Sequence, residues 1–165
     1  MKFVTGIIYR FIVKPILFLF PADDVHHLFL RVGKILGKFR PIRALTKALW
    51  GYDNKILNQN VSGMYFKNPI GLSAGFDYNA DLVNILPSVG FGFHTIGTLT
   101  LEAYEGNPAP MLGRLPKSRA LLVNKGFKNE GITKVLSNLN PKDGRAVRGV
   151  SVGVTNKAYD TYEQM

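Results

Sequence analysis

Cysteine is absent from this 165-residue chain, which excludes disulfides, a thiol nucleophile and a thiolate metal site together and leaves the redox compartment open. Histidine is nearly absent as well, with only His26, His27 and His94. The first two are adjacent and so point to different faces of a helix, whereas a zinc pair favours the i, i+4 spacing, and no metal site is expected. No GxxxxGK[ST] occurs and no GxGxxG opens a helix, so neither a phosphate loop nor a dinucleotide fingerprint is written here. Acids are scarce too: 11 Asp and Glu stand against 21 Lys and Arg, for a net charge of +10. What remains is globular in texture, 46% apolar with no sign of disorder or collagen-like repetition, and large enough for one core.

The positive charge is concentrated. Residues 1–60 carry ten Lys and Arg against Asp23, Asp24 and Asp53. Such a segment suits an anionic membrane surface or nucleic acid, and the accompanying residues separate the two. In "MKFVTGIIYRFIVKPILFLFPADD", Phe3, Ile7 and Phe11 share one stripe and Val4, Ile8 and Ile12 its neighbour, as on a helix. Pro15 is expected to break that helix, and Pro21 with Asp23 and Asp24 to open a second. There Val25, Leu28, Phe29, Val32 and Leu36 form one apolar face. Arg10, Lys14 and Pro15 interrupt the best window for a membrane span, and no small-residue signal cleavage site stands near Pro21. The pattern points to two amphipathic helices lying in a membrane interface, with Lys34, Lys38, Arg40, Arg43 and Lys47 near the headgroups. A helical cap packed on its own domain is the alternative. Nucleic acid fits less well, since phosphate contacts do not call for so many Phe, Ile and Leu.

From about residue 61 the texture changes. "VSGMYFKNPIGLSAG" reads as two short strands joined at Lys67 to Pro69, and "NADLVNILPSVG" as a short helix using Leu82, Ile85 and Leu86 and stopped by Pro87 and Gly90. "FGFHTIGTLT" is a strand. "NEGITKVLSNLN" is a helix with Ile132, Val135, Leu136 and Leu139 on one face, "RAVRGVSVGV" the next strand, and the final "DTYEQM" the start of another helix. Strands alternating with helices argue for a parallel α/β arrangement. Within it, Gly71, Ser73, Ala74 and Gly75 thin the side chains at one strand end, and Gly97 with Thr98 repeat the device at another. Small residues at the C-terminal ends of parallel strands make a seat for a flat ligand against the backbone. Tight strand-to-helix packing is the alternative explanation.

"NPIGLSAGFDYNAD", "GFGFHTIGTLT", "EGNPAPMLGRLPKSRALLVNKGF" and "GVSVGVTNK", in this order, resemble the membrane-associated, quinone-using class of dihydroorotate dehydrogenases. "LFLFPADDVHHLFL" resembles that family's paired helices, which lie on the membrane and form a quinone tunnel. The resemblance implies a β/α (TIM) barrel over residues 56–165, preceded by a helical membrane-associating segment over 1–55. It implies FMN at the strand ends, oxidation of dihydroorotate to orotate in pyrimidine biosynthesis, electron transfer to a membrane quinone, and peripheral attachment on the cytoplasmic face of a bacterial inner membrane. By position, Ala74, Gly75, Phe76, Asp77, Tyr78, Thr98 and Ser151 match cofactor contacts. Tyr78, Val123, Asn124, Lys125, Gly126 and Phe127 match the substrate region, and His26 the quinone tunnel.

Three of these positions depart from the family pattern. Tyr78 stands where a Lys is usual, and a phenol can hydrogen-bond but cannot neutralise a carboxylate. Val123 stands where an Asn holds the pyrimidine, unless a local shift lets Asn124 serve, and Ser151 stands where an Asn usually contacts FMN. Lys125, in place of an apolar residue, is a candidate to restore the missing charge. A complete barrel takes about 250 residues, whereas 105 follow residue 60. The chain is therefore expected to be the N-terminal portion of a longer one, with the proton-abstracting Ser and the phosphate-gripping loops beyond Met165. No catalytic base is assigned within it. Two alternatives remain: a non-catalytic membrane-surface protein derived from this fold, and an FMN oxidoreductase with another substrate.

Overall fold

A computed structural model describes residues 2–139 and 146–154. The helix expected in "DTYEQM" and the Thr155–Lys157 end of the "GVSVGVTNK" motif lie outside those residues.

The chain begins with helix α1 (Lys2–Ile8), which passes through a π-wound stretch, Tyr9–Val13, directly into α2 (Lys14–Leu17). The expected break at Pro15 does not occur. A proline inside a helix lacks an N–H and needs room against the preceding turn. Here the wider π turn lies immediately before it, with the Lys14 N–H bonded to the Tyr9 carbonyl, and gives the Pro15 ring room at the start of α2.

Helix α3 (Ala22–Lys38) starts after Pro21 with Asp23 and Asp24 in its first turn, as predicted from the preference of acids for the positive helix end. A further helix, α4 (Arg40–Trp50), has Pro41 in its first turn; the charge-rich sequence had not set it apart. Only part of the predicted apolar row of α3 packs: Val25 and Leu36 are half-buried, and Leu36 rests on the core. Leu28, Phe29 and Val32 are exposed, while His26, Leu30 and Gly37 are buried. The docking face contains Gly33 and Gly37, where an added Cβ would run into Leu82 and sit 3.2 Å from the Asn84 Cβ. A Lys34–Asp81 ion pair of 2.6 Å closes the same junction.

The "VSGMYF" segment is a hairpin, not one strand. Strands β1 (Gln59–Val61) and β2 (Met64–Phe66) pair antiparallel around Ser62 and Gly63, both at positive φ (49° and 78°), the geometry of a two-residue primed turn. The expected joint at Lys67 to Pro69 is present and leads from β2 into β3 (Gly71–Leu72). There Asn68 accepts the Ile70 N–H at 2.9 Å and donates to the Gly90 carbonyl at 3.0 Å.

β3, β4 (Phe93–Leu99) and β7 (Val147–Val152) form a parallel sheet in that order. The connection from β3 to β4 carries a single helical turn, α5 (Leu86–Val89). Pro87 opens that helix rather than stopping it, because a proline fits the first turn, and Gly90 ends it at φ +117°. Strands β5 (Leu112–Leu115) and β6 (Ala120–Val123) form an antiparallel hairpin apart from the sheet, so the alternation of parallel strands is interrupted. Helix α6 (Ile132–Ser137) precedes β7. Its Val135 is buried and Ile132 packs beside it, as does Leu139 beyond the helix end, whereas Leu136 is exposed.

Two apolar clusters result. Leu30, Tyr78, Leu82, Ile85 and Leu86 bind α3 to the β3–β4 connection. Val83, Ile96, Leu99 and Val135 fill the space between β4 and α6. The architecture is mixed α/β, with the C-terminal ends of β3, β4 and β7 gathered on one side.

Candidate functional site: the cavity at the strand ends

Beyond those strand ends lies a cavity of about 390 Å³ lined by Ala74, Gly75, Tyr78, Gly97, Thr98, Asn107 and the loop Val123–Lys128. Backbone bonds build its floor. The Gly75 N–H donates to the Gly97 carbonyl at 2.7 Å, and the Gly97 N–H to the Asp77 carbonyl at 3.0 Å. Gly97 has φ +94°, and a Cβ there would sit 2.6 Å from the Leu99 nitrogen and 2.8 Å from the Ser151 oxygen. Only glycine meets both demands. At the floor the β4–β7 register also shifts, between Ile96 and Leu99. The Thr98 and Ser151 hydroxyls are joined at 2.9 Å, which sets Ser151 beside the cavity.

The roof is the loop after β6. The Asn124 N–H donates to the Met111 carbonyl at 2.8 Å, and the Asn124 side-chain oxygen accepts from the Asn107 amide at 2.8 Å. Asn129 holds the far end: its Nδ2 donates to the Phe127 carbonyl at 2.7 Å and to Thr100 Oγ1 at 2.8 Å. With these bonds the roof loop is fixed to β4 and to β5.

Most of the sequence-predicted residues converge here. Ala74, Gly75, Tyr78, Thr98, Val123, Asn124, Lys125, Gly126 and Phe127 all line the cavity. Asp77 and Phe76 do not. The Asp77 carboxylate is fully buried and turned into its own loop, accepting the Asp81 and Leu82 N–H groups at 2.8 and 2.9 Å. It shapes the seat from behind, because an acid four to five residues before two free amides closes a turn more cheaply than it could face an apolar wall. Burial pushes its carboxyl up to about 6, against the pull of those two amides. Phe76 packs edge-on against His26, with ring centroids 4.8 Å apart. Sequence reading missed Asn107 and Lys128. Asn107 lies in a Gly- and Pro-rich loop with no periodicity to mark it, and Lys128 directly adjoins the predicted segment.

His26 stands behind the cavity. Its ring stacks on Tyr78, with centroids 5.7 Å apart, and its Nε2 is buried without a hydrogen-bond partner. Burial, then the positive charges of Lys125 and His27, lower its pKa to about 4, so it is neutral at pH 7. Burial likewise raises the Tyr78 phenol to about 12. Asp23 ties the helix to the hairpin beside the cavity: one carboxylate oxygen accepts the Met111 and Leu112 N–H groups at 2.9 and 3.2 Å.

A second, larger groove of about 850 Å³ separates the first helices from the β5–β6 hairpin, with Arg10, Lys14, Arg114 and Arg119 beside Phe18, Leu115 and Leu121. The Arg114 guanidinium donates to the Phe20 and Leu17 carbonyls at 2.6 and 3.2 Å and lies 4.5 Å from the centre of the Phe18 ring. No metal-holding group of His, Asp and Glu exists among the described residues.

Known proteins resemble this arrangement. A chain titled as the DHODH of Eimeria tenella in complex with ferulenol superposes with a TM-score of 0.59 at 29% identity, over 72% of this chain and 35% of that one. The ligand-free form from the same organism gives 0.57 at 27% identity, over 78% and 39%. Among curated sequences, a dihydroorotate dehydrogenase (quinone) of Nocardia farcinica is 40% identical over 140 residues, 85% of this chain and 38% of that protein. Its counterpart from Methylococcus capsulatus is 33% identical over 162 residues, 95% of this chain and 46% of its own length. The chain thus spans roughly two fifths of the length of the curated relatives it matches. The profile of the family described as dihydroorotate dehydrogenase covers residues 56–165, the span that holds every wall of the cavity, and the chain belongs to that family.

Proposed function

We propose that this chain supplies the N-terminal part of a β/α barrel flavoenzyme that oxidises dihydroorotate to orotate and delivers the electrons to a membrane quinone. The observation that carries the reading is the cavity itself, where two small-residue strand ends and the loop after β6 meet around an open floor. That floor fits a flavin ring. Gly75 has φ +98°, and a Cβ built on it would meet nothing within 4 Å, so the backbone is bare toward the cavity. Thr98 and Ser151 offer hydroxyls at its edge, and the aromatic Tyr78 and Phe127 stand in its walls. When bound, FMN supplies the hydride and electron chemistry. The chain's own residues hold the ring edge, position the pyrimidine under the 123–127 loop and keep water from the reacting face.

The helices before the barrel support peripheral membrane attachment. Phe3, Phe11 and Leu19 are 79%, 69% and 81% exposed beside the cationic groove, and no described helix is long and apolar enough to cross a membrane. An exposed apolar row flanked by Lys and Arg is the pattern of a helix lying in an anionic interface. On this reading residues 1–55 form the membrane and quinone segment, with His26 at its inner end, residues 56–165 form the FMN-binding part, and the protein sits on the cytoplasmic face of a bacterial inner membrane. Nucleic acid has no place in this scheme.

The test is to purify the full-length protein that contains this chain, record its visible absorption and add dihydroorotate under anaerobic conditions. The expected result is a flavin band that bleaches with dihydroorotate and recovers with a quinone. A colourless protein that binds vesicles would instead make it a membrane-surface relative of the fold. A second reading, a flavin enzyme with an altered pyrimidine site, draws on Tyr78 and Val123 standing in the wall. It would fail if dihydroorotate turnover matched that of typical family members and Tyr78→Lys left the rate unchanged.

A further inference from the structure

Among the described residues, Lys125 is the one lysine of the cavity wall that lies buried against an aromatic ring. Its side chain lines the cavity and is 8% exposed. Its ammonium lies over the face of Tyr78, 4.8 Å from the ring centre, and has no hydrogen-bond partner. No carboxylate of the described residues forms an ion pair with it. Asp23, the acid that acts on it most, spends one oxygen on the Met111 and Leu112 amides, and its other oxygen, also buried without a hydrogen-bond partner, makes no ion pair with the ammonium. The other near neighbour, His26, is neutral. A buried cation without an acceptor is costly, and a cation–π contact recovers only part of that cost. Consistently, burial lowers the Lys125 pKa from its ordinary value.

We propose that Lys125 is the anion-recognising cation of this cavity, held against Tyr78 until an occupant presents a delocalised negative charge. The inference rests on the flavoenzyme reading and adds which residue supplies the charge. The four-carbon stem and rotatable ammonium of lysine allow the head group to swing from the ring face into the cavity. Tyr78 and Lys125 then act as an exchanged pair. The ring occupies the position after "AGFD", where the family resemblance implies a lysine, and the lysine occupies the facing loop, where it implies an apolar residue. The charge is conserved in the cavity although neither position conserves it. Two anions of this chemistry can arrive: the carboxylate of the pyrimidine, and the N1–C2 edge of a reduced flavin.

The experiment uses the FMN-loaded full-length protein that contains this chain, with orotate as the probe, in three forms: unaltered, Lys125→Met, and Tyr78→Lys with Lys125→Met. Orotate affinity is read from the perturbation of the flavin spectrum, and the flavin midpoint potential is measured without orotate. A carboxylate partner predicts at least tenfold weaker orotate binding in Lys125→Met with the potential unmoved. A flavin partner predicts a more negative potential. Either supports the proposal, provided the double variant recovers the lost property, since the cation has returned from the opposite side of the same contact. Unchanged affinity and potential in Lys125→Met would overturn it, as would a double variant no better than the single one. An unaltered protein that retains no FMN would overturn the flavoenzyme reading itself, a result distinct from the others.

Discussion

The first fifty residues and the β4 strand are both rich in large apolar side chains, yet they use them in opposite directions. On the helices, Phe3, Phe11, Leu28 and Phe29 face outward, as does Leu19 in the turn between α2 and α3, whereas Ile96 and Leu99 of β4 are fully buried. Helix α3 docks through Leu30, Leu36 and the close approach at Gly33 and Gly37, and keeps Leu28, Phe29 and Val32 free. A helix can divide its surface in this way because residues 3.6 apart repeat a face, so one stripe can pack while another waits. The strand has no such choice: with sheet neighbours on both edges and α6 against one face, its apolar residues are used up in the core. Hydrophobicity therefore serves folding in one region and, on the proposed function, a membrane in the other.

The sharpest way to break this contrast is to truncate one residue on each side of it. Leu99→Ala is expected to cost about 2–5 kcal/mol of stability, measured by urea denaturation. Phe11→Ala is expected to leave the midpoint nearly unchanged and to weaken binding to vesicles containing anionic lipid. Equal losses of stability would show that the helices are part of the core.

Acid should act next most strongly, and on the inner region. His26 and His94 are each lowered to about 4 by burial, with Lys125 and His27 adding at the first and Arg148 at the second. An unfolded histidine titrates near 6.5, so the unfolded chain binds more protons between roughly pH 6.5 and 4, and stability falls as pH falls through that window. Asp77 opposes this. Its folded pKa is raised to about 6, so its contribution is full below about pH 4 and lost as pH rises toward 6. With two histidines against one carboxylate, a net loss on acidification is expected in pH-dependent thermal melts. His94→Gln should flatten the profile more than any change at His27, which is only half-buried.

Smaller again is the effect of Asp77→Ala, which strands the Asp81 and Leu82 amides. About 1–3 kcal/mol of destabilisation is expected, together with lower flavin retention, because the Gly75–Gly97 floor hangs on the same loop. The smallest effect belongs to the exposed Lys134–Glu130 pair at 3.1 Å. Removing it with Lys134→Ala should change stability by no more than about 0.5 kcal/mol and mark the lower bound of the scale.

Much of this was legible in residue order. Pro21, Asp23 and Asp24 announce α3, the β4 and β7 strands stand within "FGFHTIGTLT" and "RAVRGVSVGV", and the small residues at 74–75 and 97–98 mark the cavity floor. The errors share a cause. Pro15 was read as a breaker, Pro87 as a stop and "VSGMYF" as a strand, because each depends on the conformation of a neighbour: a π turn before Pro15, a helix beginning around Pro87, two positive φ angles at Ser62 and Gly63. Asp77 was misplaced for a related reason. A short acid can face a ligand or close its own turn, and only the positions of two amides decide which.

The sequence alone determined the supply of parts: an apolar, basic N-terminal segment, parallel strands with thinned ends, and ordered motifs specific enough to imply a family. These depend on local spacing and composition, which the chain carries wherever it folds. Only the tertiary structure decided which face of α3 docks, that Asn107 and Lys128 join the cavity, and that Lys125 lies buried on the ring of Tyr78. Those facts arise where segments dozens of residues apart meet, and there burial, charge and hydrogen bonding are properties of the contact, which neither segment holds by itself.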